Sequence, residues 1–204
     1  MRKSRLETAR TRQAILGAAT GVIRRSGLSE ASLADMMAAA GLSHGGFYRH
    51  FQNREQLIVE ALAAAGQEMC TTLRGYAEAD GLDGVIEGYL SESHRDATTR
   101  TCPLSALGSE LARSSHDARR VATAVLEDVV AVLGDTSAIA KRRGEAIVTF
   151  ATLVGALTLA RIAANERLSR EILTRTKEHL HARGTRRPGR RPARRPRTPR
   201  PVGP

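Results

Sequence analysis

Apolar residues in this 204-residue chain recur at spacings of three and four, and rarely alternate with polar ones. That spacing belongs to one face of an α-helix, whereas a half-buried strand needs alternation. Aromatic residues, at 3%, are also too few for the usual strand signature. The chain is therefore expected to be all-α.

The helices can be read from their punctuation. A first helix, from about Thr8 to Ser26, gathers Ile15, Ala18, Ala19, Val22 and Ile23 on one face and stops at Gly27. Ser32-Leu33-Ala34-Asp35 starts a short second helix that ends before Gly41. Ser43 caps a third of one to two turns, 44–50, and Asn53-Arg54-Glu55-Gln56 is a capping box that opens a long fourth. Along that fourth helix Ile58, Ala61, Leu62, Ala65, Met69, Leu73 and Tyr76 form one continuous stripe, the pattern of a connector between two lobes. Further helices are expected at 83–96, 104–113, 116–133, 138–164 and 168–182, with breaks at Gly81, Cys102-Pro103, Ser114-Ser115 and Gly134-Asp135.

The net charge of +11 is unevenly placed. Nine of the 32 basic residues lie between Arg183 and Pro204 with no acid among them, which leaves the rest nearly balanced, at 23 basic against 21 acidic residues. From Gly184 onward Pro and Arg alternate without an apolar face, so a disordered or polyproline-like tail is expected. The basic start MRKSRLETARTRQ is not followed by a signal core, and Cys70 and Cys102 are too few for a disulfide framework, so a cytoplasmic protein is expected. The most apolar stretch, AIVTFATLVGALTLA (146–160), is shorter than the ~20 residues of a membrane span and is read as a buried helix.

A helix, a short helix ending at Ala38-Ala39-Ala40-Gly41, a tight turn and a second short helix fit helix-turn-helix geometry. Residues 11–58, with TRQAILGAA, SLADMMAAAGLSHGGFYRHFQNREQLI and the glycines at 27 and 41, closely resemble the DNA-binding region of TetR/AcrR-type transcriptional repressors. The resemblance implies that Tyr48, His50 and Arg54 hold backbone phosphates and that Ser32 adds a hydroxyl contact. A hydroxyl beside free N–H groups at a helix start suits an anion, and such contacts set register without reading sequence. Phe47 and Phe51 are expected to pack the small core. Ser43, His44, Gly45 and Gly46 form the exposed first turn that enters the major groove. The two glycines there have two readings: close approach of backbone to base edges, or a tight fit between helices. His44 is the best direct reader of bases, with Ser43 divided between capping and contact, so DNA shape is expected to supply more of the specificity.

The expected architecture is an N-terminal three-helix domain, 1–52, a helical effector-binding and dimerisation domain, 53–182, and the tail, 183–204. The resemblance implies a homodimer on palindromic operator DNA, built on the last two helices. The 138–164 helix fits this with Ile147, Phe150, Val154 and Leu157 on one face and Leu153, Ala156 and Ala160 beside it, while Leu168, Ile172, Leu173 and Leu180 give a second stripe.

The effector is expected to be a small molecule or an electrophile. In Arg100-Thr101-Cys102-Pro103-Leu104 the proline suits a first helical position, so Cys102 falls at a helix N-terminus, where the dipole and Arg100 favour thiolate. TCPLSALGSELAR also resembles the matching segment of TetR-type repressors that sense electrophiles or oxidants. The other reading of Cys102 is a small buried residue where helices meet, and packing is the reading for Cys70. The histidines have no metal-ligand spacing, no cofactor is indicated, and no catalytic set or phosphate-cradling loop speaks for an enzyme. The alternative to a responsive repressor is a constitutive architectural DNA-binding protein that relies on its tail.

Overall fold

The computed structural model describes residues 5–136 and 143–185. Among these, every regular element is helical: α1 (Arg5–Glu30), α2 (Leu33–Ala39), a 3-10 helix (His44–Arg49), α3 (Arg54–Tyr89), α4 (Glu92–Asp96), α5 (Pro103–Leu111), α6 (His116–Asp135), α7 (Arg143–Ile162) and α8 (Glu166–Thr185). The first residues of the expected 138–164 helix and most of the Arg/Pro tail lie outside the described residues.

The punctuation works as local capping requires. Ser32 accepts a hydrogen bond from the Asp35 N–H at 3.1 Å, and Asn53 Oδ1 one from the Gln56 N–H at 2.8 Å. The Gln56 side chain returns a bond to the Gln52 N–H at 2.7 Å, one residue before the cap. At Gly27, α1 turns out of helical geometry at φ 86° and continues for one more turn to Glu30, three residues beyond the expected stop. The Glu110 carboxylate explains the continuation. It accepts from the Ser29 N–H at 3.0 Å, and a side chain at Gly27 would meet it at 2.5 Å.

α3 breaks at Asp80-Gly81, as the sequence predicts, and the part that runs on to Tyr89 turns there and packs Gly84 and Gly88 against Tyr76. The expected 83–96 helix is divided, because Ser91 caps a separate short helix by accepting from the His94 N–H at 3.2 Å.

Two apolar cores share α3. The head core joins Ile15, Val22, Met36, Phe47, Phe51, Leu57 and Ile58, and extends into the body through Leu107 and Leu111. The body core joins Leu73, Ile86, Tyr89, Val129, Leu133, Phe150, Leu153 and Leu157. Phe47 and Phe51 stack in the head at 5.7 Å between centroids, and both are buried.

By length and composition alone α7 could cross a membrane. Its inner side, with Ala146, Phe150, Leu153, Leu157 and Ala160, is instead built into the body core. The outer side differs from the expected grouping: Ile147 is exposed with Val148, Leu159 and Ile162, while Phe150 and Leu157 face inward. On α8, Leu173 and Leu180 are buried and Leu168 is exposed.

Candidate nucleic-acid interface and effector cavity

α2 and the 3-10 helix are joined by a turn in which Gly41 takes φ 70°, a left-handed conformation that glycine adopts without the strain a side chain brings. The 3-10 helix anchors one edge with Phe47 and exposes Ser43, His44, Gly45, Tyr48 and Arg49. Tyr48 is 68% exposed, its ring held edge-on between Phe47 at 5.1 Å and His44 at 6.4 Å. A large aromatic kept in solvent by two neighbours is presented outward rather than left over from packing. His50 is half-buried at the end of this helix, where its N–H donates to the Phe47 carbonyl at 2.8 Å. Ser43 has cap geometry but its side chain makes no cap bond, so the expected capping role is not met.

The two readings of the glycine pair can now be separated. A Cβ built on Gly45 meets nothing within 4 Å, and one on Gly46 meets only Met37 Cε, at 4.0 Å. Packing within the protein therefore does not require glycine at either position.

Two of the expected phosphate ligands are engaged inside the protein. The Arg54 guanidinium donates to the carbonyls of Ala31, at 2.8 and 3.2 Å, and Leu28, at 2.5 Å, closing the end of α1. Ser32 Oγ donates to Asp35 Oδ2 at 2.6 Å while it accepts the cap bond. Both serve first as structural ties, a role hidden in the sequence because the groups Arg54 binds lie more than 20 residues away. Arg54→Ala is expected to lower stability by roughly 1.5–3 kcal/mol, the usual worth of hydrogen bonds from a charged group; an unchanged unfolding midpoint in denaturant would remove that role. Arg49, exposed on the 3-10 helix beside Tyr48, was not singled out by sequence, although a basic residue within Tyr48-Arg49-His50-Phe51 is a visible signal.

In the body, a cavity of about 590 Å³ lies between α1, α3, α4 and the segment leading into α5. Its floor contains Tyr89 and Cys102, its rim Arg100 and Glu68, and Arg24 reaches into it from α1. His94 Nδ1 donates to the Tyr89 carbonyl at 2.7 Å, and its Nε2 accepts from the Cys102 N–H at 3.2 Å, a pairing that fits only the neutral ring. Burial pushes the His94 pKa down, with Arg161 and Arg24 nearby acting the same way. Outside the cavity lining, Arg161 from the end of α7 braces the segment behind it by donating to the carbonyls of His94 at 2.7 Å and Arg95 at 2.9 Å and to the hydroxyls of Ser105 and Thr101.

Cys102 does cap α5, with Pro103 behind it, but the expected activation does not follow. The residue is 1% exposed, its thiol makes no cap bond, and burial pushes its pKa up. Arg100 extends outward, 84% exposed in its side chain, toward Glu68 at 3.6 Å. Desolvation outweighs the dipole here, so the thiol is held in its unreactive form. N-ethylmaleimide is expected to label Cys102 at least a hundredfold more slowly in the folded protein than in guanidinium; equal rates would restore the activated thiolate. Cys70 is buried as well. Among the described residues, no group of His, Cys, Asp and Glu could hold a metal ion.

Residues 15–61 match the family model for bacterial regulatory proteins of the tetR family. Among solved structures, the reduced form of NemR from E. coli superposes with a TM-score of 0.71 at 19% identity, covering 83% of this chain and 96% of that one. A TetR-family transcriptional regulator from Cytophaga hutchinsonii gives 0.69 at 20% identity, over 91% of this chain and 100% of its own. The multidrug binding protein EbrR complexed with imidazole gives 0.56 at 24% identity, over 81% and 93%. At these identities the likeness is one of fold.

Proposed function

We propose that this chain, whose residues 15–61 match the DNA-binding segment of the tetR family, is a helix-turn-helix DNA-binding protein of that kind and a dimeric repressor released from its operator by a small-molecule effector. The observation that carries the DNA-binding reading is the glycine pair. Gly45 and Gly46 serve no packing need, and they sit beside exposed His44, Tyr48 and Arg49 on one short helix. A turn stripped of side chains lets backbone approach base edges, while Tyr48 and Arg49 reach the phosphates on either side.

The dimer reading rests on the outer side of α7. Ile147, Val148, Leu159 and Ile162 are 46, 46, 56 and 71% exposed, and Leu168 on α8 adds 49%. Large apolar side chains exposed at both ends of one helix mark an interaction site, and a copy of the same helix pair covers them symmetrically. The effector reading rests on the cavity, whose size falls within the roughly 300–1,000 Å³ of small-molecule sites.

Binding of the purified protein to the DNA flanking its own gene, measured against salt, tests the head. Tyr48→Phe and Arg49→Ala are each expected to weaken binding to specific and random DNA alike. For Arg49→Ala the slope of log affinity against log salt should fall by about 0.9, the contribution of one neutralised phosphate. An unchanged slope removes Arg49 from the phosphate contacts, and Tyr48→Phe binding like the parent removes the phenol hydroxyl.

A further inference from the structure

We propose that the body cavity takes a small organic acid with an apolar body, and that its carboxylate takes Arg24 from Glu68 and so alters the tie between the DNA-binding head and the body. The proposal rests on the effector-responsive reading above and names the effector's chemical class and the residue through which it acts.

Arg24 belongs to α1, the helix that carries the head core, yet its guanidinium lies across the seam into the body. Nη1 donates to Glu68 Oε2 at 2.8 Å and to the Thr99 carbonyl at 3.0 Å, and Nη2 to the Ala65 carbonyl at 3.1 Å. One side chain thus joins the head to α3 and to the segment before α5. Its side chain is only 3% exposed, and its Nε is buried without a hydrogen-bond partner. Tyr89 forms part of the wall of the same cavity, its hydroxyl turned toward Cys102 and Ser105. A buried donor without an acceptor costs roughly 1–3 kcal/mol, and one in a cavity wall marks the polarity of what the site lacks. Arg24 Nε is satisfied by an acceptor.

Charge selects an acid over a neutral acceptor. Arg24 and Arg100 line the cavity against one carboxylate, Glu68, so the lining carries an excess of positive charge. The two partners of the existing ion pair are unequally committed. Glu68 is 41% exposed and already lies 3.6 Å from Arg100, so it can turn to solvent and keep a cation. Arg24, enclosed on all sides, cannot follow it. An incoming carboxylate therefore displaces Glu68 at little desolvation cost and gains a charge-assisted hydrogen bond. Met69, Leu73 and Tyr76 supply the surface for an apolar body.

The test uses the full chain and matched probes: naphthylacetate, phenylbutyrate and octanoate against naphthylacetamide, phenylbutyramide and octanamide, followed by calorimetric titration. The expected result is that acids bind at least tenfold more tightly than their amides, and that Glu68→Gln, by removing the competing carboxylate, tightens the acids about tenfold and leaves the amides unchanged. Glu68 is a rim residue, so this variant keeps the fold; Arg24→Gln, which removes a buried tie, is read only if it unfolds cooperatively, and should then lose the preference for acids. Amides that bind as well as acids, acid affinity indifferent to Glu68→Gln, or no acid bound by either protein overturns the assignment. A parallel titration with the DNA flanking the protein's own gene separates the two readings. Failure to bind DNA at all sinks the regulator reading whatever the acids do, whereas acids that bind and leave DNA affinity unchanged overturn the coupling through Arg24.

Discussion

Gly45→Asp is expected to leave the protein at least as stable as the parent and to reduce operator affinity about a hundredfold, or about 2.8 kcal/mol. The two halves of this result have separate causes. A side chain at position 45 meets no atom of the protein within 4 Å, and the backbone there lies outside the positive-φ region, so no clash or strain arises on folding. Replacing glycine in a helical segment recovers up to roughly 1 kcal/mol of backbone entropy, and an acid in a first turn suits the helix dipole. In the groove the same side chain holds the backbone away from the bases and sets a negative charge among phosphates. Gly45→Ala separates sterics from charge, with the same gain in stability and a smaller loss of binding. Thermal unfolding and DNA titration on one set of samples decide the matter. Parental affinity in Gly45→Asp would mean that this turn does not enter the groove, and loss of stability would mean that the glycine serves the fold after all.

The features legible in the sequence are those settled within a few residues. Ser32, Asn53 and the break at Gly81 could be placed because a cap or a left-handed turn is a contract between neighbours in the chain. Phe47 and Phe51 could be assigned to the core because large aromatic side chains of this type are usually buried. The contacts of Arg54 come from 23 and 26 residues away, and those of Cys102 from other helices 8 and 13 residues back, where no local rule displays them. Arg54 has the charge of a phosphate ligand, but the end of α1 folds back beneath it. Cys102 stands at a helix start, yet Tyr89 and His94 cover it from the end of α3 and from α4, and burial reverses the effect of the dipole. Ser91 is a local signal that was passed over: it begins Ser91-Glu92-Ser93-His94, an ordinary helix start inside what periodicity read as one helix.

Leu159→Glu combined with Ile162→Glu is expected to convert the protein in solution from a dimer to a monomer of 22.0 kDa, and to lower operator affinity by two orders of magnitude or more. Both positions are largely exposed and outside the body core, so the substitutions remove little packing within the chain, and the monomer should keep its helical content. Burying two carboxylates against two symmetry-related copies across an apolar seam costs several kcal/mol, which opposes association. The DNA effect follows from linkage between the two heads. Once one head is bound, the other meets its half-site at an effective concentration in the millimolar range, and a monomer forfeits that gain, worth roughly 10²–10⁴ in affinity. The head itself is untouched, so binding to a single half-site should equal that of the parent chain. Scattering mass and binding to full and half operators give three readings that must agree. A double variant that stays dimeric moves the interface off this side of α7, and a monomer with undiminished affinity for the full operator means that each head works alone.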